Sequence, residues 1–183
     1  MRIRSSKVVV FLLTFFILLS QVFTSSFALA DNKVPFTIFH TNDMHGRLGY
    51  EEYKGKPSSF GSAREKALID KEKKENPDRT VIALDAGDAF QGLPVSNQSK
   101  GQDMAKAMNE IGYKAMAAGN HEFDFGLDTV EKYKNNPQNG GWLNFPILST
   151  NVYKDGKRLF EPSTIINENG VKIGIVGVTT PET

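Results

Sequence analysis

The sequence predicts an α/β domain, in which the strands of a parallel sheet alternate with helices along the chain. Two observations support this fold class: short apolar runs alternate with segments of helical periodicity, and glycine-containing polar stretches directly follow the apolar runs. The chain has 183 residues and no cysteine, so burial of a hydrophobic core must stabilise it. Ligands of α/β domains gather at the carboxyl ends of strands, where the polar stretches lie.

The first thirty residues have the layout of a secretory signal peptide. Basic residues precede an apolar run over 8–19, and Ala28-Leu29-Ala30 supplies the small residues of a cleavage site. The alternative is an uncleaved membrane anchor, but this run is shorter than the roughly 20 apolar residues that span a bilayer. We therefore expect cleavage after Ala30, export to the cell envelope or the extracellular space, and no stable membrane insertion afterwards.

The remaining chain, residues 31–183, is close to neutral. Without the three basic residues of the first thirty, 19 Lys and Arg oppose 21 Asp and Glu. Binding of a nucleic-acid polymer or of an anionic membrane needs clustered positive charge, so neither partner is expected. Because cysteine is absent, any metal ion must be held by oxygen and nitrogen ligands.

The predicted elements follow one another as strand, polar loop and helix. Alternation predicts a strand over 34–40, Ser62 is the expected N-cap of a helix that Asn76-Pro77 ends, and an apolar run predicts a buried strand over 80–84. The second half repeats the pattern with a helix through Met104, Met108 and Ile111, which ends at Gly112, and a strand over 114–118. A helix through Leu127, Val130 and Tyr133 and a strand over 146–148 follow. The Asn169-Gly170 turn then precedes a strand over 171–178. The two methionines are expected in the core.

The first polar motif, Asp43-Met44-His45, follows the first predicted strand. If strand conformation continues, the carboxylate and the imidazole leave the same face, and one metal ion could bind both. The triplet alone is weak evidence, because an exposed Asp-x-His pair in a loop arises often by chance.

The second motif, Gly87-Asp88-Ala89-Phe90-Gln91-Gly92, follows the buried strand. Its outer glycines let the backbone turn tightly and approach a ligand, and the Asp88 carboxylate could bridge two cations. The alternative role for such an aspartate is a helix cap or an Asx-turn, and we assign that role to Asp85.

The third motif, Gly119-Asn120-His121-Glu122-Phe123-Asp124, offers an amide oxygen, an imidazole and a carboxylate. Asp124 reaches the His121 imidazole if the segment is helical or turned. An isolated Asn-His pair is more often part of a loop. The combination of the three motifs is what matches the ligands preferred by a pair of divalent ions.

The three ordered motifs resemble those of the calcineurin-like metallophosphoesterases, and the stretches at 40–46, 108–126, 148–152 and 177–183 resemble the secreted bacterial 5′-nucleotidase group. The resemblance covers essentially all of residues 31–183. It implies the N-terminal half of a four-layer α/β/β/α sandwich, with the second half and a nucleotide-binding domain beyond Thr183. We accordingly expect exposed sheet surface and strand edges in this part of the chain.

The resemblance also implies roles for single residues around two divalent metal ions, which would be zinc, manganese, cobalt or a similar ion. The implied ligands are Asp43 and His45 for the first ion, Asp88 as a bridge between both, and Asn120 for the second. His121 would be the catalytic histidine that serves the leaving group, oriented by Asp124. Glu122 and His40 are expected to be structural, and further histidines beyond Thr183 would complete the ligand set.

The implied activity is hydrolysis of extracellular nucleoside monophosphates, and also of 2′,3′-cyclic nucleotides or nucleotide sugars, by water that two metal ions activate. The expected partner is therefore a small nucleotide substrate. One alternative is another phosphoesterase, or a sulfur-oxidation relative, with the same metal core. A second alternative is a catalytically silent surface protein, or a truncated product, that keeps the fold as a binding module.

Overall fold

The computed structural model of the protein describes residues 33–181, so the predicted signal peptide lies outside the described residues. The strands are β1 (Phe36–Thr41), β2 (Glu51–Tyr53), β3 (Lys56–Ser59), β4 (Thr80–Asp85), β5 (Tyr113–Ala117), β6 (Ile147–Leu148), β7 (Tyr153–Lys154), β8 (Lys157–Arg158), β9 (Ser163–Glu168) and β10 (Val171–Val176). The helices are α1 (Ser62–Glu75), α2 (Pro94–Asn97), α3 (Gln102–Ile111) and α4 (Leu127–Lys134), with 3₁₀ turns at His121–Phe123 and Pro137–Asn139. Between residues 33 and 181, no helix has the length and apolar character needed to cross a bilayer.

The central element is a four-stranded parallel sheet with the strand order β1-β4-β5-β6. β1 pairs with β4 in unbroken register, from Phe36 opposite Thr80 to Thr41 opposite Asp85. Parallel neighbours need crossover connections, and α1 provides one between β1 and β4, as α3 does between β4 and β5. The predicted α/β fold class is confirmed, and the carboxyl ends of β1, β4 and β5 lie along one edge of the sheet.

The hydrophobic core contains the buried faces of the helices and of the parallel sheet. Met104 and Met108 of α3 are fully buried, which confirms their predicted place in the core. The ring of Tyr133 in α4 stacks on Phe90 with centroids 4.2 Å apart, and this contact packs α4 beside the loop that follows β4. Aromatic stacking of this kind adds roughly 0.5–1.5 kcal/mol beyond the area buried.

The start of α1 differs from the prediction. Gly61, with φ of 81°, is the N-cap, and Ser62 is the first helical residue without a side-chain cap hydrogen bond. A Cβ atom on Gly61 would lie 2.7 Å from the backbone nitrogen of Tyr50, so the chain is too close to its neighbour for another residue type there. The Ser62 N–H donates instead to the Leu48 carbonyl at 3.0 Å. The helix ends at Glu75, before Asn76-Pro77, as predicted.

The strand predicted over 171–178 is β10, which ends at Val176 and forms an antiparallel hairpin with β9. Asn169 and Gly170 at its turn have φ of 50° and 78°, and positive φ at both positions is the requirement of a type I′ turn.

Apolar side chains of β1, β9 and β10 remain open to solvent, as expected for exposed sheet surface. Ile38 is 50% exposed, Ile165 76% and Val176 65%. His40, which was expected to be structural, lies on the same exposed face of β1 as Ile38.

Candidate metal centre

The loop after β1 brings Asp43 and His45 together, but not by continuing the strand. β1 ends at Thr41, and both residues have left-handed backbone conformations, with φ of 52° for Asp43 and 47° for His45. The expectation of a continued strand is therefore wrong. The loop instead hydrogen-bonds to the loop after β4: the Asp43 N–H donates to Gly87 and the His45 N–H to Asp88, each at 3.0 Å. His45 Nε2 then lies 3.8 Å from Asp43 Oδ1.

The glycines of the second motif let backbone segments pack against each other. A Cβ atom on Gly87, whose φ is 103°, would lie 2.6 Å from the backbone nitrogen of Gly119. On Gly92, whose φ is 147°, a Cβ atom would lie 2.6 Å from the Cβ of His45. The close approach expected at these glycines is thus to the other two motifs, and it holds all three loops together.

Asp85 has the Asx-turn role assigned to it from the sequence. Its Oδ1 accepts the Gly87 N–H at 2.8 Å, and its Oδ2 accepts the Thr41 hydroxyl at 2.6 Å. The Thr41 hydroxyl also pairs with the Tyr113 hydroxyl at 2.7 Å, and Tyr113 donates to Glu65. Burial raises the pKa of Asp85 to about 7, against the effect of its two hydrogen bonds.

The third motif is turned, as the predicted His121–Asp124 contact requires. His121 opens a 3₁₀ turn, and its Nδ1 lies 2.8 Å from Asp124 Oδ2. The hydrogen bond to Asp124 raises the pKa of His121, and the nearby charges of Asp124, Asp88 and Glu122 act in the same direction. The backbone N–H of His121 donates to Asp88 Oδ1 at 2.9 Å, which links the third motif to the second.

Glu122 is fully buried between the second and third motifs. Its carboxylate accepts the backbone N–H groups of Asp88 and Ala89, both at 2.9 Å, and of Gly119 at 2.6 Å. Burial raises the pKa of Glu122, whereas the three backbone donors oppose that effect. These contacts agree with the structural role expected for Glu122, but no local pattern indicated which groups it binds.

The three motifs meet at a cluster formed by His45, Asp88 and His121. Each offers one ligand atom, and these atoms all lie within 4.8 Å of one another. The two imidazole rings are 5.1 Å apart at an interplanar angle of 72°. His45 Nδ1 lies 2.9 Å from the Gln91 carbonyl and donates to it, so Nε2 is left with a lone pair for a ligand. One carboxylate and two imidazoles are a donor set that suits zinc or manganese, so the residues fit a divalent ion.

Asp43 and Asn120 are exposed residues that flank this cluster. Asp43 contacts one member of the cluster, His45, through its Oδ1 atom. The Oδ2 atom of Asp43 accepts a hydrogen bond from Asn42. Asn120 directly precedes His121, and its carbonyl accepts the Phe123 N–H at 3.3 Å. The Gln91 carbonyl, which orients His45, was missed from the sequence because every residue carries a carbonyl and only the fold selects this one.

A parallel sheet whose carboxyl edge gathers aspartate and histidine side chains around one point defines a class: α/β proteins with a candidate metal centre. The family model described as "Calcineurin-like phosphoesterase" matches residues 36–179. The chain belongs to the calcineurin-like phosphoesterase family.

Relatives within the family include proteins named as nucleotidases. The chain is 40% identical over 158 residues to "5′-nucleotidase" of Vibrio parahaemolyticus, a match that covers 84% of this chain and 26% of that protein. It is 37% identical over 157 residues to "Silent protein UshA(0)" of Salmonella typhimurium, across 84% of this chain and 27% of the relative. The solved structure of a 5′-nucleotidase precursor from Thermus thermophilus has a TM-score of 0.67 and 35% identity, with 79% of this chain and 28% of that chain covered. The chain thus spans about a quarter of the length of the curated relatives it matches.

Proposed function

We propose that this protein hydrolyses phosphate esters of nucleotides with the help of two divalent metal ions. The observation that carries the proposal is the cluster of His45, Asp88 and His121, whose ligand atoms lie within 4.8 Å of one another at the carboxyl edge of the sheet. Family membership supports phosphoester chemistry, and similarity to proteins named as 5′-nucleotidases supports nucleotides as substrates.

The residues available to hold the ions are those of the three motifs. Asp43 and His45 are proposed as ligands of one ion, Asn120 of the other, and Asp88 as the bridge between them. When bound, divalent cations supply Lewis acidity that neutralises phosphoryl oxygens and favours ionisation of water near neutral pH.

His121 is proposed to give a proton to the oxygen that leaves phosphorus. Asp124 accepts the Nδ1–H of His121 at 2.8 Å, which fixes the tautomer and directs Nε2 away from Asp124. The hydrogen bond to Asp124 raises the pKa of His121, so the imidazolium, which carries a proton on Nε2, persists to higher pH than it would without Asp124. The proton moves from Nε2 to the departing nucleoside oxygen as its bond to phosphorus breaks.

Export is part of the proposal, because the first thirty residues have the layout of a signal peptide. The substrates would then be nucleoside monophosphates outside the cytoplasm, with 2′,3′-cyclic nucleotides and nucleotide sugars as further candidates.

A second candidate function is that of a binding module without catalysis. One relative, which is 37% identical to this chain, is named a silent protein, so a relative of this similarity can carry such a name. The contact between His121 and Asp124 favours the enzyme, because a binding module has no chemical need for a histidine held in one tautomer. A phosphoesterase or sulfur-oxidation relative with another substrate would keep the contact between His121 and Asp124. Only substrate tests therefore distinguish that candidate from a nucleotide hydrolase.

The test is phosphate release from AMP by the protein as its gene encodes it, after removal of metal by chelation and after addition of Mn²⁺ or Zn²⁺. We expect release only with added metal, and loss of that release in Asp88→Asn. Asp128→Asn is the matched control, because Asp128 is an exposed aspartate in the first turn of α4. Inactivity of the wild-type protein toward AMP, cyclic nucleotides and nucleotide sugars alike would overturn the proposal.

A further inference from the structure

We propose that Glu122 is a positioning residue for the candidate metal centre. Its carboxylate would fix the loop that carries Asp88 against the loop that carries Asn120 and His121, and thereby set the direction of the Asp88 carboxylate. This inference rests on the proposed function, since it concerns the same site.

The Glu122 carboxylate accepts three backbone hydrogen bonds from two loops. Its Oε1 accepts from the Ala89 N–H at 2.9 Å, and its Oε2 accepts from the N–H groups of Asp88 at 2.9 Å and Gly119 at 2.6 Å. These donors belong to loops that follow different strands. A fully buried carboxylate is costly unless it is well hydrogen-bonded, and here it binds main chain at three points.

Asp88 makes a return contact with the loop that carries His121. Its Oδ1 accepts the backbone N–H of His121 at 2.9 Å, so each of the two loops places a carboxylate on the backbone of the other. With Oδ1 held in this way, the remaining oxygen of Asp88 is the one that can face His45 and His121. The direction of the Asp88 carboxylate thus depends on the relative placement of the two loops.

The loop that carries Asp88 and the loop that carries His121 lie in close contact at Asp88 and Gly119. A Cβ atom on Gly119 would lie 2.7 Å from the Asp88 backbone nitrogen and 2.9 Å from its Cγ. Such close contact leaves no space for a side chain to hold the loops apart at a fixed distance. The Glu122 carboxylate, which reaches both backbones, is what sets that distance.

These contacts distinguish a positioning role from ordinary core packing. Glu122→Gln keeps the size of the side chain but turns one acceptor oxygen into an NH₂ group that faces a backbone N–H. At least one of the three hydrogen bonds is then replaced by two opposed donors, and the loops must separate. Ile69→Ala is the matched control, because Ile69 is buried in α1 and contributes packing alone.

The experiment uses the protein as its gene encodes it, at a temperature at which every variant is folded. Mn²⁺ affinity is measured by titration calorimetry, and kcat and KM are measured with AMP. We expect Glu122→Gln to bind Mn²⁺ about 10- to 100-fold more weakly and to lose kcat with little change in KM, since outer partners of metal ligands have effects of this size. Ile69→Ala should lower Tm and leave Mn²⁺ affinity unchanged.

Wild-type Mn²⁺ affinity in a folded Glu122→Gln protein would overturn the inference. If Glu122→Gln does not fold, amide hydrogen exchange of the wild-type protein decides instead. The amides of Asp88, Ala89 and Gly119 should exchange slowly and slow further on addition of Mn²⁺, and an exchange rate that Mn²⁺ leaves unchanged would contradict the inference. Failure of the proposed function is separate, because it appears as a wild-type protein that neither binds Mn²⁺ nor releases phosphate.

Discussion

His121 and Asp124 are joined by a hydrogen bond of 2.8 Å between Nδ1 and Oδ2, although the side chains of both are 37% exposed. An exposed ion pair contributes little to stability, so the contact matters for the state of the imidazole rather than for the fold. Asp124 raises the pKa of His121 and holds its Nδ1, so Nε2 is the nitrogen directed away from Asp124.

Asp124→Asn should lower the pKa of His121 in the metal-free protein. Asparagine removes the negative charge that stabilises the imidazolium, and this hydrogen bond is the largest cause of the raised pKa. NMR titration of the His121 ring measures the pKa directly. The control is Asp128→Asn, which should leave it in place, and an unchanged pKa in Asp124→Asn would contradict the assigned role.

His121→Ala should reduce the rate of AMP hydrolysis by roughly 10²- to 10⁴-fold, because the leaving oxygen then departs without a proton donor. Metal content, measured by elemental analysis, should stay at the wild-type level. The matched control is His40→Ala, since His40 lies on the exposed face of β1 and should be dispensable for the rate. Loss of metal from His121→Ala would instead make His121 a ligand, a role that its place in the His45 and Asp88 cluster permits.

Gly119→Ala should weaken metal binding and destabilise the protein. The added Cβ would overlap the Asp88 carboxylate and lie 2.7 Å from the Asp88 backbone nitrogen, so the two loops must separate. Overpacking of this kind costs typically about 1–3 kcal/mol. Gly174→Ala in β10 is the control, since a Cβ there meets nothing within 4 Å. Urea denaturation and Mn²⁺ titration check both effects, and equal behaviour of the two variants would refute the prediction.

Asp85 should make the protein less stable as the pH rises from about 4 to about 7. Burial raises its pKa from 3.8 to about 7, so between these values the folded protein binds more protons at this site than the unfolded chain does. The contribution is fully present below about pH 4 and is lost as pH rises through about 7. On the order of 4 kcal/mol of unfolding free energy is involved, because the shift is about 3 pKa units and one unit corresponds to about 1.4 kcal/mol.

Asp85→Asn should remove this decrease in the free energy of unfolding with rising pH. The amide keeps an oxygen for the Gly87 N–H and can donate to the Thr41 hydroxyl, so the turn itself should persist. Free energies of unfolding measured from pH 4 to pH 8 for both proteins provide the check. Parallel pH profiles of the two proteins would show that Asp85 does not titrate in this range.

The sequence was sufficient to predict the four strands of the parallel sheet, the helices α1, α3 and α4, and the edge at which the motifs meet. Apolar periodicity marks the strands, and in a parallel sheet their carboxyl ends meet at one edge, so polar residues after β1, β4 and β5 must be neighbours. Local chemistry was also readable: Asp85 forms the expected Asx-turn, and Asp124 reaches a histidine three residues away. These contacts depend on short stretches of chain.

Contacts between distant segments could not be read from the sequence. Glu122 accepts from Ala89, a residue 33 positions away, and no local pattern specifies such a pairing. The left-handed conformations of Asp43 and His45 depend on hydrogen bonds to the loop after β4, so a strand-based expectation failed there. Gly61 replaces Ser62 as the N-cap of α1, because a Cβ atom at this position would lie 2.7 Å from the backbone nitrogen of Tyr50, which belongs to another part of the chain.

We propose that Asp88 joins two metal ions at the meeting point of the three loops. The most direct test of this bridge is the number of Mn²⁺ ions bound per chain, measured by titration calorimetry and elemental analysis for the wild-type protein and Asp88→Asn. We expect two ions in the wild-type protein and fewer than one in Asp88→Asn, since loss of the bridge weakens both sites. Two ions bound with undiminished affinity in Asp88→Asn would contradict it.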